Sequence, residues 1–293
     1  MPSCAFLSIS NTAGWFIDDD LVHEPLQALG WEVQNTPWDQ PTDWNAFDVV
    51  IIRSPWDYQD HPEEFIGVLK NIDQSNAILL NSLDLVMWNI DKNYLFELEN
   101  KGIELVPTRK SISLTKKDIE RAFEAFKTNE LIIKPMIGAN ADDTFWINQT
   151  DNDLSEIISI FQNRECMIQP FMKNIVEEGE YSLMYFQGNL SHTILKTVKE
   201  GDFRIQEEHG GGVIAIEDVE PSLIATANKI MTTLSEPPFY ARVDLVRTPR
   251  QTFALMELEL IEPCLYFRFD DHSAERFANC LDDFWKERVL ILK

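Results

Sequence analysis

A run of four β-branched residues at 49–52, inside the segment FDVVIIR, constrains the fold more than any other feature. The run contains no alternating polar residues, so both faces of the strand must be buried, as in a parallel sheet covered by helices. Strand and helix patterns alternate around it through the first 90 residues, which predicts an α/β domain with crossover helices. The predicted elements are strands at 4–10, 47–53 and 76–81 and helices near 19–29 and 61–73.

Beyond residue 90 the strand content rises, and the pattern becomes α+β. The shift near 90 predicts a domain boundary, which agrees with the roughly two domains expected for 293 residues. Helices are expected at about 89–101, 115–128, 219–234 and 273–287. Strands are expected at 130–137, 144–148, 166–171, 180–186, 192–198, 240–246 and 253–260.

Charge and composition exclude several kinds of protein. The formal net charge of −24 would repel nucleic acid and anionic membranes, so neither is expected as a partner. No segment has the length and hydrophobicity of a membrane span, and MPSCAFLSIS lacks the features of a signal peptide. The four cysteines are widely spaced, which suggests reduced thiols in the cytoplasm, and the scattered histidines make a zinc site unfavourable.

Two strands joined by RTPRQT carry a cluster of charged residues. In MELEL, Glu257 and Glu259 lie on one face, and in YARVDLV, Arg242 and Asp244 share a face. A hairpin that pairs Asp244 with Glu257 also pairs Arg242 with Glu259. Three carboxylates so close together need cations, and an all-oxygen set suits Mg²⁺. The same alternation is also compatible with an acidic, solvent-exposed sheet face.

Three other segments have the composition of ligand-binding loops. Lys134 ends the apolar strand LIIKP and could bind an anion, although a lysine at a strand end more often extends into solvent. The polar turn GANADDT (138–144) and the segment GDFRIQEEHGGG (201–212), with Arg204, could bind phosphate, or they could be surface turns. The segment 169–182 could be a nucleotide hinge or an acidic surface loop.

In their order along the chain, these segments resemble the ATP-grasp superfamily, in its glutathione-synthetase-like and RimK-like branch. The resemblance rests on Asp91 and Lys92, IIKP, MIQPF, GEYS, the arginine followed by glycines, and the carboxylate strand. RSPWDY (53–58), WNIDKNYL (88–95) and YARVDL are most similar to ATP-grasp enzymes that form D-cycloserine by closing a ring on O-ureido-D-serine.

The resemblance implies a pre-ATP-grasp βαβ domain followed by a two-subdomain ATP-grasp fold, with ATP between the subdomains. The corresponding boundaries are 1–90 for the substrate domain, 91–170 for the small subdomain and 171–293 for the large subdomain with the metal site. Many relatives carry asparagine where Glu259 stands, and the loop after Lys134 contains few glycines.

The resemblance also implies a role for each matching residue. Lys92 and Lys134 would contact the phosphates of ATP, Glu180 the ribose, and Arg204 the transferred phosphate. The residues expected along the adenine are Gln169, Pro170 and Phe171. The ligands expected for Mg²⁺, with Mn²⁺ as an alternative, are Asp244, Glu257 and Glu259.

Residues that follow the buried strand 47–53 should lie at the carboxyl edge of the sheet, where α/β proteins bind ligands. Arg53 could bind a carboxylate and Asp57 an ammonium group, while the rings of Trp56 and Tyr58 exclude water. Arg53 and Asp57 could instead pair with each other. The predicted substrate-contacting residues are Arg53, Trp56, Asp57, Tyr58 and Arg242.

The implied reaction is an ATP-dependent ligation or ring closure on a small amino-acid-like substrate. ATP would phosphorylate a carboxylate or analogous oxygen, an amine would attack the activated carbon, and ADP and phosphate would be released. Two other functions stay open: a nucleotide-binding module without turnover, and a ligase that modifies a peptide or protein tail. A homodimer is also left open.

Overall fold

The computed structural model describes residues 1–138, 141–199, 207 and 210–291. Its first sheet has four parallel strands in the order β2-β1-β3-β4. All six residues of β3 are buried, as the β-branched run predicts. The elements of this part are β1 (Ser3–Ser8), α1 (His23–Ala28), β2 (Glu32–Pro37), β3 (Val49–Ser54), α2 (Pro62–Asp73) and β4 (Ile78–Leu80).

Strand β2 is absent from the expectations based on sequence. It lies at the edge of the sheet, and its sequence EVQNTP is mostly polar and largely exposed. An edge strand that is stabilised by backbone pairing with β1 needs little hydrophobic periodicity, so the sequence pattern did not reveal it.

A second, antiparallel sheet has the strand order β5-β8-β6-β7. Helix α5 begins with a capping box between Thr115 and Asp118, and its Ile119 and Phe123 pack onto the sheet. The elements are β5 (Arg109–Ser111), α5 (Lys116–Phe126), β6 (Glu130–Pro135), β7 (Phe145–Asn148), α6 (Ser155–Ile160) and β8 (Cys166–Pro170).

The third sheet is antiparallel and has five strands in the order β11-β10-β9-β12-β13. One face packs against helices that precede the second sheet in sequence, through residues such as Leu85, Tyr94 and Leu98. The strands are β9 (Glu180–Phe186), β10 (Asn189–Thr197), β11 (Gly212–Ala215), β12 (Tyr240–Arg247) and β13 (Phe253–Glu259). The remaining α-helices are α3 (Leu83–Asn89), α4 (Tyr94–Asn100), α7 (Asn174–Glu177), α8 (Pro221–Met231) and α9 (Ser273–Ile291).

The first and third sheets share a hydrophobic core. Phe6 of β1 and Phe186 of β9 both pack edge-on against Phe277 of α9. The predicted mixed α/β fold class agrees with this architecture, while the exact domain boundaries stay predictions. In the part of the chain that the structure describes, no helix is both long enough and apolar enough to cross a bilayer. Short 3-10 helices are present at Asp19–Val22, Trp44–Ala46, Tyr58–Asp60 and Phe267–Phe269.

Candidate active site

The hairpin of β12 and β13 has the register predicted from its alternation. Asp244 lies opposite Glu257, and Arg242 lies opposite Glu259. On the neighbouring strand β9, Ser182 lies opposite Asp244 and donates a hydrogen bond of 2.5 Å to its carboxylate. The charged face therefore continues across neighbouring strands, and its residues line a cavity that is also bordered by the second sheet and by the segment after β3.

Each of the three predicted metal ligands is paired with a cation of the protein. The Glu257 carboxylate forms an ion pair with Lys92, with 2.9 Å between Oε1 and Nζ. Arg242 bridges Asp244, at 3.0 Å, and Glu259. Among the described residues, no group of three acidic, histidine or cysteine side chains is arranged to hold a metal ion. Lysine and arginine side chains therefore supply the cations that this face was expected to need, and binding of Mg²⁺ by the three carboxylates stays a prediction.

Lys196 of β10 is a functional candidate that the sequence analysis missed. It is buried, lies 2.6 Å from Glu180 and 3.4 Å from Asp244, and lines the cavity. Lys196 is the one charged residue in the strand HTILKTV, which is the same signal that singled out Lys134 in LIIKP. Gly179 enables this contact, since a Cβ at its φ of +126° would collide with the Lys196 carbonyl oxygen.

Burial and neighbouring charges shift the carboxylate pKa values in different directions. Burial raises the pKa of Glu259 to about 8, with further contributions from Asp244 and Glu257 that Arg242 only partly opposes. Burial also acts to raise the pKa of Asp244, but Arg242 and Lys196 outweigh it, and the pKa falls below its ordinary value. Glu257 also has a lowered pKa, because Lys92 and Lys134 outweigh its burial. The three carboxylates of this face therefore differ in the pH at which they ionise.

Lys134 differs from the other cations of the cavity because it has no ion-pair partner among the described residues. It lies on β6 and faces the cavity. Its pKa is lowered, first by burial and then by repulsion from Lys92. Lys92, in contrast, donates to the Gly138 carbonyl oxygen at 2.7 Å as well as to Glu257. An anion such as phosphate beside Lys134 would supply the missing negative charge.

The end of β8 forms an apolar slot at one side of the cavity. Gln169, Pro170 and Phe171 all line it, and Phe171 stacks on Trp146 with a centroid distance of 4.5 Å. The other apolar lining residues of this region are Val106, Ile132, Met172, Ile175 and Met256. A flat aromatic base fits such a slot. Glu180 lines the same cavity, but its carboxylate is paired with Lys196.

The predicted substrate residues divide into two groups. Trp56 and Tyr58 line the cavity, whereas Arg53 and Asp57 do not. Arg53 is buried and donates to Asp19 at 2.8 and 3.0 Å and to the Pro263 carbonyl oxygen at 2.9 Å.

Asp57 is exposed and accepts a hydrogen bond of 2.6 Å from Trp38 Nε1. Neither side chain is therefore placed to bind a substrate in the cavity. They do not pair with each other either, because Arg53 is bound to Asp19 instead.

Arg204 lies outside the described residues, as do Ala139 and Asn140 of the 138–144 turn. Their predicted contacts with phosphate stay predictions. Twelve of the other predicted site residues line the same cavity. They are Trp56, Tyr58, Lys92, Lys134, Gln169, Pro170, Phe171, Glu180, Arg242, Asp244, Glu257 and Glu259.

Comparison with known families explains why these distant residues converge. The family model for the ATP-grasp domain of prokaryotic glutathione synthetase matches residues 97–263, more than half of the chain. The chain belongs to this ATP-grasp family. The model for the N-terminal domain of D-cycloserine synthetase DcsG matches residues 4–81. The ATP-grasp fold with a preceding α/β domain is confirmed, and the protein is an ATP-grasp ligase.

Individual relatives extend this ATP-grasp likeness over nearly the whole chain. The cycloserine biosynthesis protein DcsG of Streptomyces lavendulae is 27% identical, and the match covers 88% of this chain and 90% of that protein. The crystal structure of D-cycloserine synthetase DcsG superimposes with a TM-score of 0.85 at 24% identity, over 96% of this chain and 99% of that one. D-alanine–D-alanine ligase from Bacillus anthracis, complexed with ATP, gives a TM-score of 0.68 at 15% identity, over 96% and 95%.

Proposed function

We propose that this ligase uses ATP to activate the carboxylate of a small amino-acid-like substrate as an acyl phosphate, and then forms a C–N bond with release of ADP and phosphate. The observation that carries the proposal is the environment of Lys134. It is a cation on the cavity wall without an anionic partner among the described residues, between an apolar slot and a carboxylate-bearing strand. A nucleoside triphosphate presents groups in the matching order. Its flat base would fit the apolar slot, its anionic phosphates would lie at Lys134, and its divalent cation would lie at the carboxylates.

In the proposed complex, the base occupies the slot of Gln169 to Phe171, and the phosphates extend toward Lys134 and Lys92. Glu180 would bind the ribose, the role that the resemblance to the ATP-grasp superfamily implies for it. The donor set on β13 fits Mg²⁺, since Glu257 and Glu259 offer oxygen ligands and remain 29% and 28% exposed toward the cavity. Bound Mg²⁺ would neutralise phosphate charge as a Lewis acid. Glu257 would have to leave Lys92, at least in part, to act as its ligand.

The protein residues of this site would act by position and charge. Lys134 and Lys92 would hold the transferred phosphoryl group in line with the attacking substrate oxygen. That oxygen would form a bond to the γ-phosphorus while the bond to the ADP oxygen breaks. A nitrogen nucleophile would then attack the acyl carbon, lose its proton, and expel phosphate that retains the substrate oxygen.

The likeness to DcsG supports ring closure as the form of this reaction. DcsG is a D-cycloserine synthetase, and ring closure on O-ureido-D-serine forms a new C–N bond within one small molecule. The cavity end that contains Trp56 and Tyr58 is aromatic, which suits a small substrate. O-ureido-D-serine is therefore the first substrate to test.

A screen for ADP release tests the proposed function. Purified protein would be given ATP, Mg²⁺ and O-ureido-D-serine, and in parallel each common D- and L-amino acid and a set of acidic peptides. We expect ADP formation that depends on a small amino-acid-like compound. Lys134→Met should lose ATP affinity, whereas Lys117→Met on exposed helix α5 should behave as wild type. Release that depends only on a peptide, or no release at all, would contradict the proposal.

A further inference from the structure

Glu262 lies in the loop after β13 and lines the cavity, yet no role follows for it from the nucleotide-binding arrangement. It differs from the other acidic residues of the cavity described above. Asp244, Glu257 and Glu259 each have a lysine or arginine within ion-pair distance. For Glu262, the described part of the chain supplies no such cation within 4 Å, and its side-chain contacts are with Gln59 Nε2, at 3.5 Å, and with the Tyr58 hydroxyl. A largely desolvated carboxylate without a cation is unfavourable unless a ligand provides one.

The surroundings of Glu262 are aromatic. Trp56 Nε1 donates a hydrogen bond of 2.8 Å to the Glu262 backbone carbonyl, which fixes the indole ring beside this residue. Trp15 packs on Trp56 with a centroid distance of 5.3 Å. The Tyr58 hydroxyl interacts with the Glu262 carboxylate. The Tyr58 ring stacks on Phe65, with a centroid distance of 4.4 Å. Trp15, Trp56 and Tyr58 line the same cavity as Glu262, and aromatic rings near a carboxylate favour an organic cation.

The chemistry separates an ammonium group from a metal ion as the occupant. Mg²⁺ retains water and prefers several oxygen ligands, whereas Glu262 offers one carboxylate among apolar rings. An alkylammonium group needs one charged acceptor and benefits from contact with aromatic faces. Glu262 is also close in sequence to the proposed metal site. It lies three residues after Glu259, in the loop that follows β13, and both residues line the cavity. A substrate group bound at Glu262 would therefore lie in the same cavity as the nucleotide.

We infer that Glu262 is the residue that binds the α-ammonium group of the substrate, with Trp15 and Trp56 forming the walls of this subsite. This inference rests on the proposed function, since it assumes that an amino-acid-like substrate occupies the cavity end. It assigns to Glu262 the role that the sequence pattern suggested for Asp57, whose carboxylate is bound to Trp38 outside the cavity. It also makes the ammonium group a determinant of specificity.

The test compares Glu262→Gln with a matched control. Glutamine keeps the size of the side chain and a hydrogen-bond acceptor for Tyr58, but removes the negative charge. Asp57→Asn removes a nearby carboxylate that does not line the cavity, and its amide oxygen can still accept from Trp38. Binding of O-ureido-D-serine, D-serine and the analogue of O-ureido-D-serine with a hydroxyl in place of the ammonium would be measured by calorimetry. A non-hydrolysable ATP analogue and Mg²⁺ would be present throughout.

Wild type and Asp57→Asn should bind an ammonium-bearing probe about 100-fold more tightly than the hydroxyl analogue, whereas Glu262→Gln should bind both with similar, low affinity. ATP-analogue affinity and the Mg²⁺ requirement should be equal in all three proteins. The inference would be overturned if Glu262→Gln preferred the ammonium probes over the hydroxyl analogue as strongly as wild type does. It would also be overturned if wild type bound neither ammonium probe. A changed Mg²⁺ requirement would assign Glu262 to metal binding instead.

ADP release, measured in parallel, keeps the two proposals apart. If wild type releases ADP with O-ureido-D-serine but Glu262→Gln has the same KM and the same selectivity, the subsite assignment is wrong and the proposed function stands. If the ammonium probes bind in a Glu262-dependent manner without any ADP release, the subsite is supported and the proposed reaction is contradicted.

Discussion

Lys92 Nζ lies 2.9 Å from Glu257 Oε1, so a lysine between helices α3 and α4 neutralises a carboxylate on strand β13. The proposed function places the two residues on different parts of one ligand: Lys92 on the phosphates and Glu257 on Mg²⁺. In the absence of that ligand, each serves as the counter-ion of the other. Binding of Mg²⁺ and phosphate would supply both residues with new partners of the required charge.

Replacing Glu257 should separate metal binding from stability. Glu257→Gln keeps the shape of the side chain but removes one charged ligand of the proposed metal site. We expect turnover to fall by at least about 100-fold, because a metal contributes several kcal/mol to transition-state stabilisation. ADP release would be measured against Mg²⁺ concentration, with exposed Glu124→Gln as the control. A folded Glu257→Gln protein with near-native rates at low Mg²⁺ would contradict the assignment.

The two cavity lysines Lys134 and Lys196 should respond differently to replacement by methionine. Lys196→Met removes the cation beside Glu180 and Asp244, and leaving buried carboxylates uncompensated should cost about 3 kcal/mol of unfolding free energy. Lys134→Met removes a cation without such a partner, so the unfolding free energy should stay within about 0.5 kcal/mol.

Urea unfolding at pH 7 would compare both variants with wild type, and calorimetry would measure their ATP affinity. Lys134→Met should lose affinity at unchanged stability. Equal stability losses in the two variants would show that Lys134 has a structural role like that of Lys196.

Buried His192 should make stability depend on pH. Burial lowers its pKa to about 4, and its Nε2–H donates to the Leu265 carbonyl oxygen at 2.8 Å. Because the folded pKa is below the ordinary value of about 6.5, the folded state binds fewer protons between these values. The contribution of neutral His192 to the free energy of unfolding is therefore complete above pH 6.5, and it is lost as the pH falls toward 4.

His192→Gln keeps a donor for Leu265 but removes the titration. Between pH 7 and pH 5, wild type should lose about 2 kcal/mol more unfolding free energy than the variant. The comparison stops at pH 5 because the sequence pI is near 4.5, and the protein would carry little net charge close to that pH. Parallel curves for the two proteins in urea unfolding would show that His192 does not titrate as proposed.

Asn89 connects helix α3 to strand β13, which carries Glu257 and Glu259. Its side chain donates to the Leu258 carbonyl oxygen at 2.8 Å and accepts from the Leu260 amide at 2.9 Å, on either side of Glu259. Asn89→Leu fits the same volume but leaves both buried backbone groups unpaired, which should cost about 2–3 kcal/mol. Urea unfolding would test this with exposed Asn152→Leu as the control, and a loss below 0.5 kcal/mol would show that water replaces the amide.

Local alternation and hairpin geometry were sufficient to show that a pairing of Asp244 with Glu257 also pairs Arg242 with Glu259, because both depend on residues close together in sequence. Partners from distant segments could not be predicted in this way. Arg53 appeared free to bind a carboxylate because its partner Asp19 lies in a short 3-10 helix whose position the sequence pattern did not reveal.

Lys196 and Glu262 show the same limitation. Lys196 was predictable in principle, as a single charged residue in an apolar strand. Glu262 was not, since its distinctive feature is the absence of a cation among its described neighbours, and this appears only when the three sheets are assembled. Lys134 and the segment around Phe171 were candidates from their sequence pattern, but their roles toward ATP came from the family resemblance and stay predictions.

Transfer of oxygen from the substrate to phosphate tests the central claim most directly. O-ureido-D-serine labelled with ¹⁸O in its carboxylate would be turned over with ATP and Mg²⁺, and the products would be examined by ³¹P NMR and chromatography. The acyl-phosphate route predicts ADP together with inorganic phosphate that carries one ¹⁸O atom for each turnover. Unlabelled phosphate, or the formation of AMP and pyrophosphate, would contradict it.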